Sequence, residues 1–227
     1  MHRRVRHLNA AAVSGALTVL DSRFIYGIAD GGAIETWNSR TGSNDVTQST
    51  GTQQPLYETN ELNGNPVVRF DGSNDVMSCS FTTANVASAV YISKQNSTAA
   101  QFRRYFTLRS GATARLCTFR DGSDNTIGGF ATAFGPRSLA FSGYNIATSV
   151  CSSSSFLLAV NGVTSTTSGS YNTSASSLDV GSGLDTSGPY PLPCDIAYLA
   201  VFTTELTAAM RRRLEQAAAF SFKLQCS

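Results

Sequence analysis

The residues best suited to chemistry lie in the stretch NGNPVVRFDGSNDVMSCS, residues 63 to 80, where Asp71, Asn74 and Asp75 gather oxygen-bearing side chains around a glycine. Carboxylates and amides on one loop are hard oxygen donors of the kind calcium takes. The same residues suit a tight turn, because Gly72 accepts a positive φ and Asp and Asn side chains bond nearby backbone amides. The segment FRDGSDN, residues 119 to 125, repeats that turn chemistry. Neither copy has the ligand spacing of an EF-hand. The expectation is therefore that the aspartates turn the chain and no cofactor is needed, with calcium at Asp71, Asn74 and Asp75 as the alternative.

Glycoside hydrolysis needs two carboxyl groups held across the scissile bond. The glutamates are Glu35, Glu58, Glu61, Glu205 and Glu215, and none has a second carboxylate two residues along a strand. His2 and His7 both fall in the basic N-terminal stretch, so no imidazole is left elsewhere to activate a serine or cysteine. No glycine-rich phosphate loop follows a strand. The expectation is a protein that is not an enzyme.

Binding chemistry has more support. Sugar sites stack an aromatic ring on a sugar face and bond its hydroxyls with Asn, Asp and backbone groups. Trp37 with Asn38, Tyr144 with Asn145, Tyr171 with Asn172, and Tyr190 carry that combination. Basic side chains offer a second mode, docking onto a protein neighbour. Arg3, Arg4 and Arg6 form one cluster, and Arg211 and Arg212 belong to another that continues through Arg213. The net charge of only +2 gives no field for nucleic acid or an anionic membrane.

The elements that must position these residues read mainly as strands. Only 14% of the 227 residues are charged, while Ser, Thr, Gly and Asn are abundant, which suits many short strands joined by turns. Strand candidates are residues 16 to 25, 66 to 70, 75 to 81, 86 to 93, 104 to 109, 114 to 120, 138 to 143, 154 to 161, 177 to 181 and 195 to 203. SFLLAVNGVT runs a strand into Asn161-Gly162, a strong hairpin signal, and the Ser/Thr-rich segment that follows reads as an exposed return strand. One helix is expected, at about 207 to 220, with Thr207 as N-cap and Leu206, Met210, Leu214 and Ala218 as its apolar stripe. The three helix arginines span too wide an arc for one face, so at least one must meet the protein or a neighbour.

The N-terminal MHRRVRHLNAAAVSGALTVL has the composition of a leader, but GALTVLDSRF alternates as a first strand. Residues 1 to 14 are accordingly expected to form a basic arm and 15 to 227 a single domain, without export through a cleaved leader. No apolar run approaches the span of a bilayer. Cys79, Cys117, Cys151, Cys194 and Cys226 are scattered and odd in number, which favours reduced thiols over a disulfide framework or zinc site.

Four segments in order resemble the laminin-G-like branch of the concanavalin A-like lectin/glucanase superfamily. They are GALTVLDSRF through the Trp37 turn; QQPLYETNELNGNPVVRFDGSNDVMS; FLLAVNGVTSTTSG with LDVGSG; and CDIAYLAVFTTELTAAMRRRLEQAAAF. The resemblance implies an all-β, two-sheet antiparallel jelly-roll sandwich closed by a short C-terminal helix, with FDG as a tight turn between neighbouring strands. The Glu-x-Asp-x-x-Glu pattern of the superfamily's glucanases does not occur.

Domains of this kind occur in head- and tail-associated proteins of tailed bacteriophages. The resemblance therefore implies a capsid-decorating or head-fibre protein displayed on the virion, with glycan binding as a purpose. It would be assembled in the host cytoplasm, partnered by the major capsid protein or another virion protein, and form a homo-oligomer. A tail-fibre or secreted lectin module is the alternative, and a glycoside hydrolase stands behind both. On the virion reading, Arg3, Arg4, Arg6, Arg211, Arg212 and the AAAFSFKLQCS tail would dock onto the shell or a sister subunit.

Overall fold

The computed structural model describes residues 9–97, 103–121, 126–131, 133–134, 139–140, 143–185 and 188–224. Arg3, Arg4 and Arg6 lie outside the described residues, as does most of the second Asp-Gly turn. Strands β1 (Ala16–Asp21), β2 (Gly32–Ala33), β3 (Thr36–Trp37), β4 (Val46–Thr47), β5 (Leu56–Leu62), β6 (Asn65–Asp71) and β7 (Met77–Asn85) come first. There follow β8 (Ser88–Gln95), β9 (Arg104–Ser110), β10 (Thr113–Asp121), β11 (Thr126–Ala131), β12 (Ala133–Phe134), β13 (Leu139–Ala140) and β14 (Asn145–Cys151). The remainder are β15 (Ser155–Val160), β16 (Val163–Ser168), β17 (Ser174–Val180), β18 (Leu184–Asp185), β19 (Gly188–Pro189) and β20 (Pro193–Phe202), before helix α1 (Ala208–Ser221).

Apart from the small β18-β19 pair, these strands form two antiparallel sheets. One runs β16-β15-β14-β8-β20-β6-β5-β2, with β1 also on β20; the other runs β12-β11-β10-β9-β17-β7-β4-β3, with β13 on β11. The fold is the expected two-sheet antiparallel sandwich with one short C-terminal helix. The FDG turn is more than a hairpin, because β6 and β7 belong to opposite sheets. It is a corner where the chain crosses the sandwich.

The first sheet is the middle of three layers. In β20 every residue after Pro193 is buried, since the other sheet covers one face and α1 the opposite one. Cys194, Ile196, Leu199 and Val201 join the inter-sheet core. Ala197, Tyr198, Ala200 and Phe202 face the helix side with Val90, Ile92, Leu214 and Phe222. A register shift between Ile196 and Tyr198 places two consecutive residues on that outer side.

Helix α1 starts where Thr207 Oγ1 accepts the Met210 amide at 3.2 Å. Leu206, Leu214 and Ala218 are buried and Met210 partly so, which places the anticipated stripe on the sheet. Arg211 is the arginine that faces the protein. It is buried and lies 3.6 Å from Glu215 Oε1, which accepts from Thr148 Oγ1 of β14 at 2.7 Å. Arg211 is thus committed to its own domain and not free to dock elsewhere, whereas Arg212 is exposed.

Local chemistry explains the departures from the expected strands. Strand β1 stops at Asp21, because that carboxylate accepts the Arg23 amide and opens a 3-10 turn, Ser22–Phe24. Strand β5 was not expected, since LYETNEL is polar and Asn60 takes φ 60° where the register slips. Strand β14 follows Gly143, and its NIATSVC is buried on both faces without alternating. The Asn161-Gly162 hairpin is as expected, at φ 48° and 86°, pairing Val160 with Val163.

Candidate functional site

The aromatic–asparagine pairs do not converge. Trp37 is wholly buried in the inter-sheet core and presents no ring face to a ligand, although Asn38 beside it is exposed. Tyr171 is also a framework residue, its ring 6.1 Å from Phe156 and its hydroxyl donating to Thr167 O at 3.4 Å. Asn172 is exposed and accepts the Ser174 amide. Asn145 is buried and receives the Asn161 side-chain amide at 2.7 Å, bracing the hairpin. Tyr190 stacks beneath the Arg104 guanidinium at 4.5 Å. Large rings contribute most when their area leaves water, and that is how Trp37 and Tyr171 are used.

Tyr144 belongs to a polar cluster on the outer face of the first sheet. Its hydroxyl donates to Asp195 Oδ2 at 2.8 Å, and Asn96 Nδ2 donates to Asp195 Oδ1 at 2.6 Å. Arg69 grips both oxygens, at 2.8 and 3.1 Å, and also meets Glu58 and Glu61 at 3.5 and 3.2 Å. Lys94 completes the ring 3.5 Å from Asp195 Oδ2. The Asp195 side chain is 0% exposed, so the cluster satisfies itself and leaves its central acid out of reach.

At the calcium candidates, Asp71 Oδ1 accepts the amides of Ser73 and Asn74 at 2.7 and 3.2 Å. Asp75 is buried with a carboxylate oxygen on the Asp71 amide. These contacts make a closed turn. Among the described residues no group of three or more His, Cys, Asp or Glu side chains is placed to hold a metal ion.

A ligand-sized cavity of about 890 Å³ opens elsewhere, between the last turns of α1 and the Ser22–Phe24 turn, over Tyr198 of β20. Such a volume is typical of small-molecule sites. Arg23 joins the two sides. Its Nε and one terminal nitrogen bond the Asp21 carboxylate at 2.9 and 2.7 Å, and the other nitrogen donates to Ser221 O at 3.3 Å. The same guanidinium lies 4.5 Å from the Phe222 ring centre. Arg40 lies 3.5 Å from the centre of Phe24, a close cation–π stack.

Aromatic surface reaches solvent at this cleft. Phe24 is 38% exposed with Tyr26 edge-on beside it, and Phe220 is 57% exposed. The Tyr198 hydroxyl lines the cleft without a hydrogen-bond partner among the described residues. Burial raises its phenol, as does the nearby Asp21 charge, so it remains a protonated donor. Lys223, at φ 54°, reaches Asn63 O at 3.3 Å.

Of the cleft's polar residues, Ser221 and Lys223 lie in a segment that the sequence points to, and Asn9, Asp21, Arg23, Arg40 and Tyr198 do not. The alternation of Arg23-Phe24-Ile25-Tyr26, and two phenylalanines followed by a lysine at the helix end, were the available signals. The second lies within the AAAFSFKLQCS tail marked for docking, whose last three residues fall outside the described residues.

No family model matches the chain, and no curated protein matches it. Solved structures do share the fold. Trypanosoma rangeli sialidase in complex with sialic acid matches with a TM-score of 0.65 at 11% identity, covering 92% of this chain and 34% of that one. Domain 4 of AbnA, a GH43 extracellular arabinanase from Geobacillus stearothermophilus, in complex with arabinotriose, matches with a TM-score of 0.54 at 13% identity, covering 79% and 91%. The chain thus spans about a third of the length of the sialidase. At these identities the likeness establishes the sandwich fold, and the laminin-G-like branch remains an expectation of the sequence.

Proposed function

We propose that this chain is a non-catalytic carbohydrate-binding sandwich that serves as an exterior domain of a virus particle. It would be assembled in the host cytoplasm and attached to a major capsid protein or another virion protein, beside sister copies. The observation that carries the binding role is the cleft, where the partly exposed Phe24 and Phe220 adjoin arginine donors and a tyrosine hydroxyl with no hydrogen-bond partner among the described residues. Hydrophobic ring faces with a few convergent polar groups are what sugar recognition needs. Both structural neighbours named above were solved with a saccharide ligand, which agrees with that use of the fold.

A binder is favoured over a hydrolase because, among the described residues, Asp21 is the only acid lining the cleft, and both its oxygens are taken by Arg23. A glycosidase would need a second carboxyl facing it. The virion role draws on the laminin-G-like resemblance and the sparsely charged, hydroxyl-rich composition. Cys79, Cys117, Cys151 and Cys194 form no disulfide with one another, as assembly in a reducing compartment would leave them.

Two measurements test the proposal. The purified chain should bind a defined subset of a glycan array, and Phe24→Ala combined with Phe220→Ala should abolish that signal without changing the circular dichroism spectrum. The chain should also co-sediment with particles at symmetric occupancy. Turnover of any bound oligosaccharide would overturn the non-catalytic assignment, and absence from purified particles would overturn the virion placement.

A further inference from the structure

We infer that the cleft selects a sugar bearing a carboxylate, with the Arg40 guanidinium as its anchor. This rests on the carbohydrate reading above and adds the charge of the ligand. Asp21 is the only anion among the described lining residues, and Arg23 holds both of its oxygens. Arg40 and Lys223 line the same cleft and make no ion pair among the described residues. Among the described residues the cleft therefore carries two cations without an ion pair beside apolar walls, where a counter-charge is worth more than in open water.

The geometry of Arg40 narrows the choice of anion. Its guanidinium carbon lies 3.5 Å from the centre of the Phe24 ring, a close contact that restrains the fork, and its N–H groups bond no side chain among the described residues. A rigid planar fork matches the two coplanar oxygens of a carboxylate, and Arg is favoured over Lys wherever such two-point pairing matters. Tyr198 supplies a neutral donor to the same space, close enough to feel the Asp21, Arg23 and Arg40 charges. An acidic monosaccharide unit would set its carboxylate on Arg40 and a ring hydroxyl on Tyr198, between the apolar walls of the cleft. Lys223 then adds a longer-range attraction that salt should weaken.

Isothermal titration of the purified chain tests this with a galacturonic acid trisaccharide, its fully methyl-esterified form, sialyllactose, lactose and sulfated lactose as probes. The two carboxylate sugars should bind at least tenfold more tightly than the ester and lactose. Arg40→Gln should remove that preference, and Arg40→Lys should restore only part of it. Arg40 is exposed, so both variants should fold, and an unchanged Tm confirms it. Equal affinity for acid and ester would overturn the charge selection and leave a neutral-sugar site. Sulfated lactose binding more tightly than either carboxylate sugar would overturn the carboxylate assignment. No binding of any probe by the wild-type chain would overturn the carbohydrate reading along with it.

Discussion

Asp71 and Asp75 clasp each other through the backbone: the Asp75 amide donates to Asp71 Oδ1 at 3.3 Å, and the Asp71 amide donates to Asp75 Oδ2 at 2.9 Å. The exchange closes the corner that carries the chain from one sheet to the other. It also explains why Gly72 stands between them. At φ 77° a side chain is strained, and a Cβ there would come within 2.4 Å of the Pro193 nitrogen on the adjoining strand.

The buried member of this pair should make stability depend on pH. Burial, with the Asp71 charge beside it, raises the Asp75 carboxyl to about 6, against the opposing effect of the Asp71 amide. Between the ordinary carboxyl value and about 6, the folded chain holds a proton that the unfolded chain has released. Stability from this group is therefore present at low pH and lost as pH rises through 6. Asp75→Asn keeps an oxygen for the Asp71 amide without the charge. It should raise Tm at pH 8 and leave it unchanged at pH 4. Melting curves from pH 4 to 8 that stay parallel for the two proteins would remove Asp75 as the source.

The partner residue separates a turn from a metal site. Asp71→Ala strips the acceptor from three amides, a loss comparable to removing a helix N-cap, about 1 kcal/mol or a fall in Tm of about 2–4 °C. Chelator should leave the melting temperature of the wild-type chain where it is. A Tm that drops on adding EDTA and recovers with calcium would assign the loop to an ion instead.

Asp195 should behave oppositely to Asp75. Burial alone would raise its carboxyl, but the bonds from Arg69, Asn96 and Tyr144, with the Arg69 charge, hold it below the ordinary range. Its contribution is therefore complete at neutral pH and lost only as pH falls below the ordinary carboxyl value. Arg69→Met leaves a buried carboxylate without its main counter-charge and should cost about 3–5 kcal/mol. Tyr144→Phe removes one bond to the same anion and should cost about 1.5–3 kcal/mol. Chemical denaturation at pH 7 gives both values. A Tyr144→Phe loss as large as that of Arg69→Met would show that the cluster is not organised around the ion pair.

What the sequence made legible was local. Asn161-Gly162 names its hairpin because only a type I′ turn uses two consecutive positive φ values, and Thr207 with the Leu206–Ala218 stripe names the helix. Strands buried on both faces lose the alternation that announces a strand, which hid β14. The cleft was hidden for another reason. Asp21, Arg40, Tyr198 and Phe220 come from segments distant in sequence, and only the pairing of β1 with β20 and the docking of α1 bring them to one place. Aromatic residues adjacent to asparagine looked like sugar platforms, yet sequence does not say which rings a sandwich will consume in its own core.

Asn63 offers a way to weaken the cleft without touching its lining. It occupies the first position of the Asn63-Gly64 turn at φ 51°, and its side-chain amide donates to the Phe222 and Lys223 carbonyls at 3.2 and 2.9 Å. The hairpin between β5 and β6 thereby pins the helix end that carries Phe220, Phe222 and Lys223. Asn63→Gly keeps the backbone conformation at little cost, while both pins are lost. The expected outcome is a small change in Tm with a several-fold rise in Kd for whatever saccharide the cleft takes. Asn63→Ala loses the pins and strains the turn as well, so its Tm should fall further while its Kd matches that of Asn63→Gly. If the glycine variant binds like the wild type, the helix end holds its position without the Asn63 side chain, through the Arg23 bond to Ser221 and the Lys223 bond to the Asn63 carbonyl.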